Sequence, residues 1–325
     1  MKPLKFRELL METIWGGQDI VAIKGKKDQK HHIGESWEIS GVPGKETPVV
    51  GGECDGMILP ELIERYGADL VGAGNLKRYG NTFPLLIKFI SAANPLSIQV
   101  HPDDAMAHRM GHPYGKTEMW YIVKTDPDAS LYSGFNHDFS ADAYTHCLED
   151  GTLTDHLARH DTHPGDCFFI PAGRIHSIGA GNFLVEIQQS SNDTFRVYDF
   201  DRMDDLGNKR ELHVLQAREA LNYKAEKEYR THYEAKKDEV VQLVDCPEFT
   251  TRLLQLDKEI SVDYRQIDSF VIYIAYEGAA TLTDAEGNEV QLKAGQSVMF
   301  PAVNTGVTIR LEAGSSFSCL ETFVK

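Results

Sequence analysis

Two stretches of this chain, 130 residues apart, share one frame. GDCFFIPAGRIHSIGAG spans residues 165–181 and GQSVMFPAVNTGVTIRL spans 295–311. Gly165 aligns with Gly295, Pro171 with Pro301 and Ala172 with Ala302, and the apolar positions between them coincide. A glycine that turns the chain into a strand, and a proline that ends the strand at the sheet rim, mark a β unit. An offset of this length repeats a whole domain rather than a short motif. The copies differ at one telling position: His176 in the first falls on Gly306 in the second.

The rest of the chain fits two β units. SWEISGV, PLLIKFISA, PLSIQVH, MWYIV, CFFIPAG and FLVEIQQ are short, apolar or alternating, and bounded by Gly, Pro, Asn or Asp. From about Val240 the texture returns in FTTRLLQL, FVIYIAYEG, SVMFPAV and GVTIRLE, with a hairpin loop at Asp284–Asn288. Between strands, Ile58, Leu59, Leu62, Ile63 and Tyr66 recur at helical spacing. DDAMAHRMG, from Asp103, reads as a second helix, and AYTHCLEDGTLTDHLARH as one or two more. Residues 202–236 are strongly charged and contain RELHVLQAREALNYK, read as a connecting helix. The expected division is residues 1–236, with helical insertions and the connecting helix, and residues 237–325.

The formal net charge of −16 argues against nucleic acid or an anionic membrane as partner. An anionic small substrate would need a local basic pocket. The first twenty residues lack a secretory pattern, and no apolar run is long enough to cross a bilayer. The five cysteines are scattered and never spaced CxxC, which fits reduced thiols in the cytoplasm rather than a disulfide framework.

Chemistry concentrates in a few strands. In NPLSIQVHPDD, side chains two apart share a face, so Ser97, Gln99 and His101 point one way and Ile98 and Val100 the other. Such a polar triplet faces either solvent or a polar cavity. GKTEMWYIV places Lys116 and Glu118 at a strand start, and GRIHSIG places His176 just past a strand-ending proline. Taken singly, each reads as an ordinary surface or capping residue. Together, two histidines and a glutamate from three strands form a donor set suited to Zn²⁺, Fe²⁺, Co²⁺ or Mn²⁺. Gln99 could add a neutral oxygen. His31, His32, His108, His112, His137, His146, His156, His160 and His163 fall in loops or beside short helices and are read as non-ligating. Lys88 interrupts an apolar strand, and Arg196 is flanked by Phe195 and Val197. Each points either to solvent or into a polar cavity, where Arg, Lys and Ser would suit a phosphate.

The proline frame resembles the second motif of the cupin barrel. PLSIQVHPDD, GKTEMWYIV, FFIPAGRIHSIGAG and QQSSNDTFRVYDF together resemble the type I mannose-6-phosphate isomerases, especially the short bacterial form, as do Trp15–Gly17 and Gly34–Ser40. The resemblance covers residues 4 to about 220. It implies a mainly β fold of two cupin (jelly-roll) barrels, with a catalytic first domain and a metal-free second one. It implies one Zn²⁺ per chain on Gln99, His101, Glu118 and His176, with Gln99 the least secure of the four. Arg196 falls on the family's active-site arginine, and Ser97, Lys116 and Lys88 on phosphate or sugar contacts.

The activity implied is isomerisation of mannose 6-phosphate and fructose 6-phosphate through a cis-enediol, in mannose metabolism, by a cytoplasmic monomer or homodimer. Arg196 and Lys116 are the expected catalytic side chains. The proton-transferring base stays open among Lys116, His101 and a metal-bound water. One departure stands out: Asn192 occupies the place of the usual Asp, which puts that role in doubt or passes it to Asp193 or Asp199. A non-haem iron oxygenase and a non-catalytic sugar-phosphate-binding cupin are the alternatives.

Overall fold

The computed structural model describes residues 1–26, 32–203 and 206–325, so His31 lies outside the described residues. The N-terminal strands are β1 (Leu9–Gly17), β2 (Ile33–Ser40), β3 (Leu85–Ala92), β4 (Ile98–Val100), β5 (Glu118–Thr125) and β6 (Ser130–Phe135). They continue with β7 (Leu157–Asp161), β8 (Cys167–Ile170), β9 (His176–Ile178), β10 (Asn182–Gln189) and β11 (Phe195–Tyr198). Six of them form an antiparallel sheet ordered β1-β2-β3-β10-β5-β8, and five form a second sheet ordered β11-β4-β9-β6-β7.

Alternation along the strands explains how the sheets pack. Leu85, Ile87 and Phe89 of β3 and Val185 and Ile187 of β10 point to one face of the six-stranded sheet. Ile90, Trp120 and Leu184 point to the other, where they meet Leu131 and Ile178 of the five-stranded sheet. Polar residues on this inner face are Lys88, Glu118 and Glu186, each buried. The reverse face of β4 and β11, through Ile98, Val100, Phe195 and Val197, packs on helical segments.

The C-terminal strands are β12 (Val240–Asp245), β13 (Thr250–Leu256), β14 (Ile260–Asp263), β15 (Val271–Asp284), β16 (Glu289–Lys293), β17 (Gln296–Phe300), β18 (Gly306–Arg310) and β19 (Phe317–Phe323). They join one sheet around the long β15. Ile272 and Ile274 of β15 and Leu320 of β19 pack against the outer face of the six-stranded sheet. Val271, Tyr273, Cys319 and Phe323 turn inward to a separate core. Each fully buried Leu, Ile or Phe contributes about 1.5–3 kcal/mol, so these two-faced strands bind the halves together.

The repeated frame is structural. Gly165 and Gly295 both adopt left-handed φ, 92° and 80°. Strands β8 and β17 end immediately before Pro171 and Pro301, and β9 and β18 begin at His176 and Gly306.

Helices fill the connections: α1 (Asp19–Ile23), α2 (Leu59–Tyr66), α3 (Ala68–Val71), α4 (Ala73–Tyr79), α5 (Asp104–Arg109), α6 (Ala141–Asp150) and α7 (Val214–Ala220). Asp103 caps α5 by accepting from Met106 N at 2.7 Å. Asp268 from the C-terminal half accepts from Ala73 N and Gly74 N at the start of α4.

The structure departs from the sequence reading in three places. The stretch after Gly151 is not a second α-helix but a short 3-10 turn followed by strand β7; Gly151 ends α6 in the left-handed region, and β7 pairs with β6. Helix α7 stops at Ala220, and the chain to residue 236 lies along the first barrel. Tyr229 there donates to Phe135 O at 2.7 Å, and Thr231 N to Cys167 O at 2.8 Å. Strand β1 lacks clean alternation because bulges interrupt its pairing with β2. Among the described residues no helix is long and apolar enough to cross a membrane, and all five cysteines are free.

Candidate metal centre and active site

Both sheets of the first barrel contribute to one inward-facing cluster. His101 follows β4, His176 opens β9 and Glu118 opens β5. Their ligand atoms lie within 4.8 Å of one another, and all three residues are buried. Among the described residues this is the one such group. His176 Nε2 is 3.4 Å from Glu118 Oε1, and His101 Nε2 is 3.5 Å from Glu118 Oε2.

The imidazoles are held for coordination. His101 Nδ1 lies 2.8 Å from Asp193 O, and His176 Nδ1 2.8 Å from Arg174 O. A backbone carbonyl accepts only from N–H, so each Nδ1 carries the proton and each Nε2 presents a lone pair to the cluster. Burial, with Lys116 nearby, pushes His101 well below the ordinary histidine range; burial likewise pushes His176 down to about 3. Both rings are therefore neutral, the form that binds metals. Burial raises the Glu118 carboxyl to about 7, against the pull of Lys116. His176 Nε2 and Glu118 Oε1 are buried with no hydrogen-bond partner. Two neutral imidazoles and a carboxylate, with unpartnered donor atoms on His176 and Glu118, fit a divalent cation.

Local sequence explains the placement. Pro102 and the α5 excursion separate His101 from Glu118, and the excursion closes at Gly115. A Cβ there would lie 2.5–2.6 Å from the backbone of Asp103 and Asp104, so only glycine fits. Asp104 then accepts from Gly115 N at 2.8 Å and from Gln189 Nε2 at 2.9 Å. Gln189 Oε1 in turn accepts from Thr117 N at 2.8 Å.

A cavity of about 280 Å³ adjoins the cluster, small for a small-molecule site. Ser97, Gln99, Lys88, Lys116 and Arg196 all border it. Lys116 links cavity to cluster: its Nζ is 2.9 Å from Glu118 Oε2 and 3.0 Å from His101 Nε2. Gln99 pairs with His176 across the β4–β9 ladder and with Arg196 across β4–β11. Its Oε1 accepts from Ser97 Oγ at 3.3 Å. Lys88 is neither at a sheet edge nor snorkelling; it lies on central strand β3, 3.0 Å from Glu186 and 3.7 Å from Glu35. Burial disfavours its charge, but these carboxylates outweigh burial and hold the ammonium above the usual lysine range. Arg196 donates to Glu211 O at 2.8 Å, while its buried Nε has no partner.

Asn192 borders the cavity. Asp193 instead directs its carboxylate to His112, at 2.5 Å. Asp199 is engaged by Arg202 and by Arg210, whose Nε is 2.7 Å away. Neither aspartate borders the cavity. Sequence reasoning missed Glu186, Glu35 and Arg210 in the lining. Glu186 carried a usable signal, a lone charge inside the apolar run FLVEIQQ, of the same kind that singled out Lys88. A wider cleft of about 950 Å³ between the N-terminus and the Glu286–Val290 region has no histidine or arginine in its lining.

Residues 4–140 match the family described as phosphomannose isomerase type I, catalytic domain. Mannose-6-phosphate isomerase ManA of Bacillus subtilis (strain 168) is 33% identical over 289 residues, covering 88% of this chain and 89% of the relative. The mannose-6-phosphate isomerase of Streptococcus mutans is 33% identical over 282 residues, covering 86% and 87%. The crystal structure of the Bacillus subtilis mannose 6-phosphate isomerase superposes with a TM-score of 0.88 at 28% identity, over 100% of both chains.

Proposed function

The chain belongs to the type I phosphomannose isomerases, and on that premise we propose that it is a zinc enzyme that interconverts mannose 6-phosphate and fructose 6-phosphate through a cis-enediol. The observation that carries the metal reading is the His101–Glu118–His176 group, with His176 Nε2 and Glu118 Oε1 unpartnered, beside a cavity bordered by four cationic side chains. Those cations suit a phosphorylated sugar; a non-haem oxygenase has no use for them.

His101, Glu118 and His176 would hold the zinc ion, and Gln99 would add a neutral oxygen as the fourth ligand. Bound there, the ion would act as a Lewis acid on the oxygens of the reacting carbons. In the forward direction, on the open-chain aldose, a base (Lys116, His101 or a metal-bound water) takes the C2 proton, the C2–H electron pair becomes the C1–C2 double bond, and the C1 carbonyl pair moves to O1, which is protonated to give the enediol. O2 then loses its proton and forms the C2 carbonyl, while the C1–C2 pair takes a proton at C1 to give the ketose. Lys116 Nζ, poised between His101 Nε2 and Glu118 Oε2, donates to or takes a proton from the sugar oxygens. Arg196 stabilises the negative charge that develops on the enediol oxygens. Ser97 and Lys88 contact the sugar phosphate and help fix the reacting carbons.

Residues 1–236 carry this chemistry, and residues 237–325 form a metal-free barrel. That division is supported by Gly306 at the place of His176 and by the rings of Tyr264, Tyr273 and Phe300 in the second core. Free cysteines are in keeping with a cytoplasmic enzyme, monomeric or homodimeric. A coupled isomerase assay with mannose 6-phosphate, before and after chelation and zinc return, tests the proposal. Activity lost with chelator and restored by zinc is the expected result. Full activity in metal-free protein would overturn the zinc requirement.

A further inference from the structure

We infer that His112 is a positioning residue for the metal centre: it holds the Asp193 peptide whose carbonyl orients His101. This rests on the metal reading above. His112 Nδ1 is 2.5 Å from a carboxylate oxygen of Asp193, and the carbonyl of the same Asp193 is 2.8 Å from His101 Nδ1. The two contacts run in series, from a half-exposed histidine through one residue to a buried ligand.

The need for such a brace follows from where Asp193 sits. A metal-binding imidazole keeps its tautomer and ring angle through the partner of its other nitrogen. For His101 that partner is a peptide carbonyl in residues 191–194, which lie outside any strand. The β4–β11 ladder begins only at Phe195. Besides His112, the other tie on Asp193 is from its own N–H to Ser191 Oγ, at 3.2 Å. His112 is well anchored: its N–H donates to Ala107 O at 2.9 Å after the left-handed turn at Gly111, and His108 Nε2 lies 2.8 Å from Pro113 O. The excursion between His101 and Glu118 therefore reaches across and fastens the segment that orients His101. His112 does not border the cavity, so its influence passes through Asp193.

The test follows zinc release to a chelator from the zinc-loaded full chain and four variants: His112→Ala, Asp193→Ala, their double variant and His112→Asn. Losing a direct partner of a metal ligand costs roughly 10–100-fold in affinity. One step further out, His112→Ala and Asp193→Ala are each expected to release zinc about threefold to tenfold faster. The double variant should release no faster than either single one, because the two residues act as a unit. His112→Asn, whose amide nitrogen takes the place of Nδ1, should release zinc at close to the wild-type rate. Unchanged release from His112→Ala, or losses that add in the double variant, would overturn the positioning role and leave the metal centre standing. A wild-type chain that retains no zinc would overturn both.

Discussion

Lys88 and Glu186 stand opposite each other on β3 and β10, with Nζ 3.0 Å from the carboxylate and both side chains buried inside the first barrel. Removing one partner of a buried pair strands the other charge, at a cost of about 3–5 kcal/mol. Lys88→Met should therefore lower stability by that amount in urea unfolding. The double variant Lys88→Met/Glu186→Leu should recover much of the loss. A single variant as stable as wild type would show that the Lys88–Glu186 pair contributes nothing to stability.

The same glutamate sets an acid limit. Burial alone would raise its pKa, but Lys88, Lys116 and the Trp120 N–H, 2.9 Å away, outweigh burial and bring it down to about 2. Its folded value lies below the unfolded value of about 4.3. The stability it contributes is present above that unfolded value and is lost as pH falls towards 2. Denaturant unfolding from pH 5 to 2 should show a steeper loss in wild type than in Glu186→Gln. Parallel curves would contradict the assignment.

Gln99→Ala addresses the fourth metal ligand. Gln99 pairs with His176 across the ladder and borders the cavity. Loss of a true ligand should weaken zinc binding by at least about 10-fold, the lower end of what outer-shell partners cost. Unchanged affinity in a competition titration would reduce the site to His101, Glu118 and His176.

Arg196→Ala should lower kcat by about 100- to 1,000-fold, the scale for removing one preorganised donor to a developing oxyanion. Zinc content should stay at wild-type level, because Arg196 is not one of the metal-ligand group. Near-normal turnover with mannose 6-phosphate would remove Arg196 from the reaction.

Asp268→Ala removes a cap that joins the halves of the chain. Its carboxylate receives Ala73 N at 3.0 Å and Gly74 N at 2.9 Å. Loss of such a cap costs about 0.5–2 kcal/mol. Thermal unfolding should show a drop of that size with zinc affinity unchanged. No drop would mean that solvent satisfies these N–H groups as well.

Strand alternation made the inward set legible in advance. Ser97, Gln99 and His101 on one face, and the frame ending in His176, needed only period-two reasoning and a repeat. GKTEMWYIV offered Glu118 and Lys116 at a strand start, and Glu118 completed the donor set with the two histidines. What stayed hidden depended on distant contacts. Nothing near Lys88 in sequence announces Glu186, almost a hundred residues on, yet the pairing decides which way that lysine points. The helical composition of RELHVLQAREALNYK points to a helix longer than α7, whereas Tyr229 is drawn onto Gly134, where a Cβ would lie 2.2 Å from its ring. The bulges of strand β1 erase the alternation on which strand recognition depends.

The core of the C-terminal half is closed by its own side chains. Where an open barrel would offer donors, Tyr264 bonds both Tyr273 and Glu321, and Arg252 closes on Glu321 at 2.6 Å. Placing a histidine at Gly306 would return one donor to a room already furnished. The rings and the Arg252-paired carboxylate would have to leave together, and each single departure would strand a buried charge or open a hole. Filled in this way, the C-terminal half can serve the first as a buttress, and one substitution does not make a site of it.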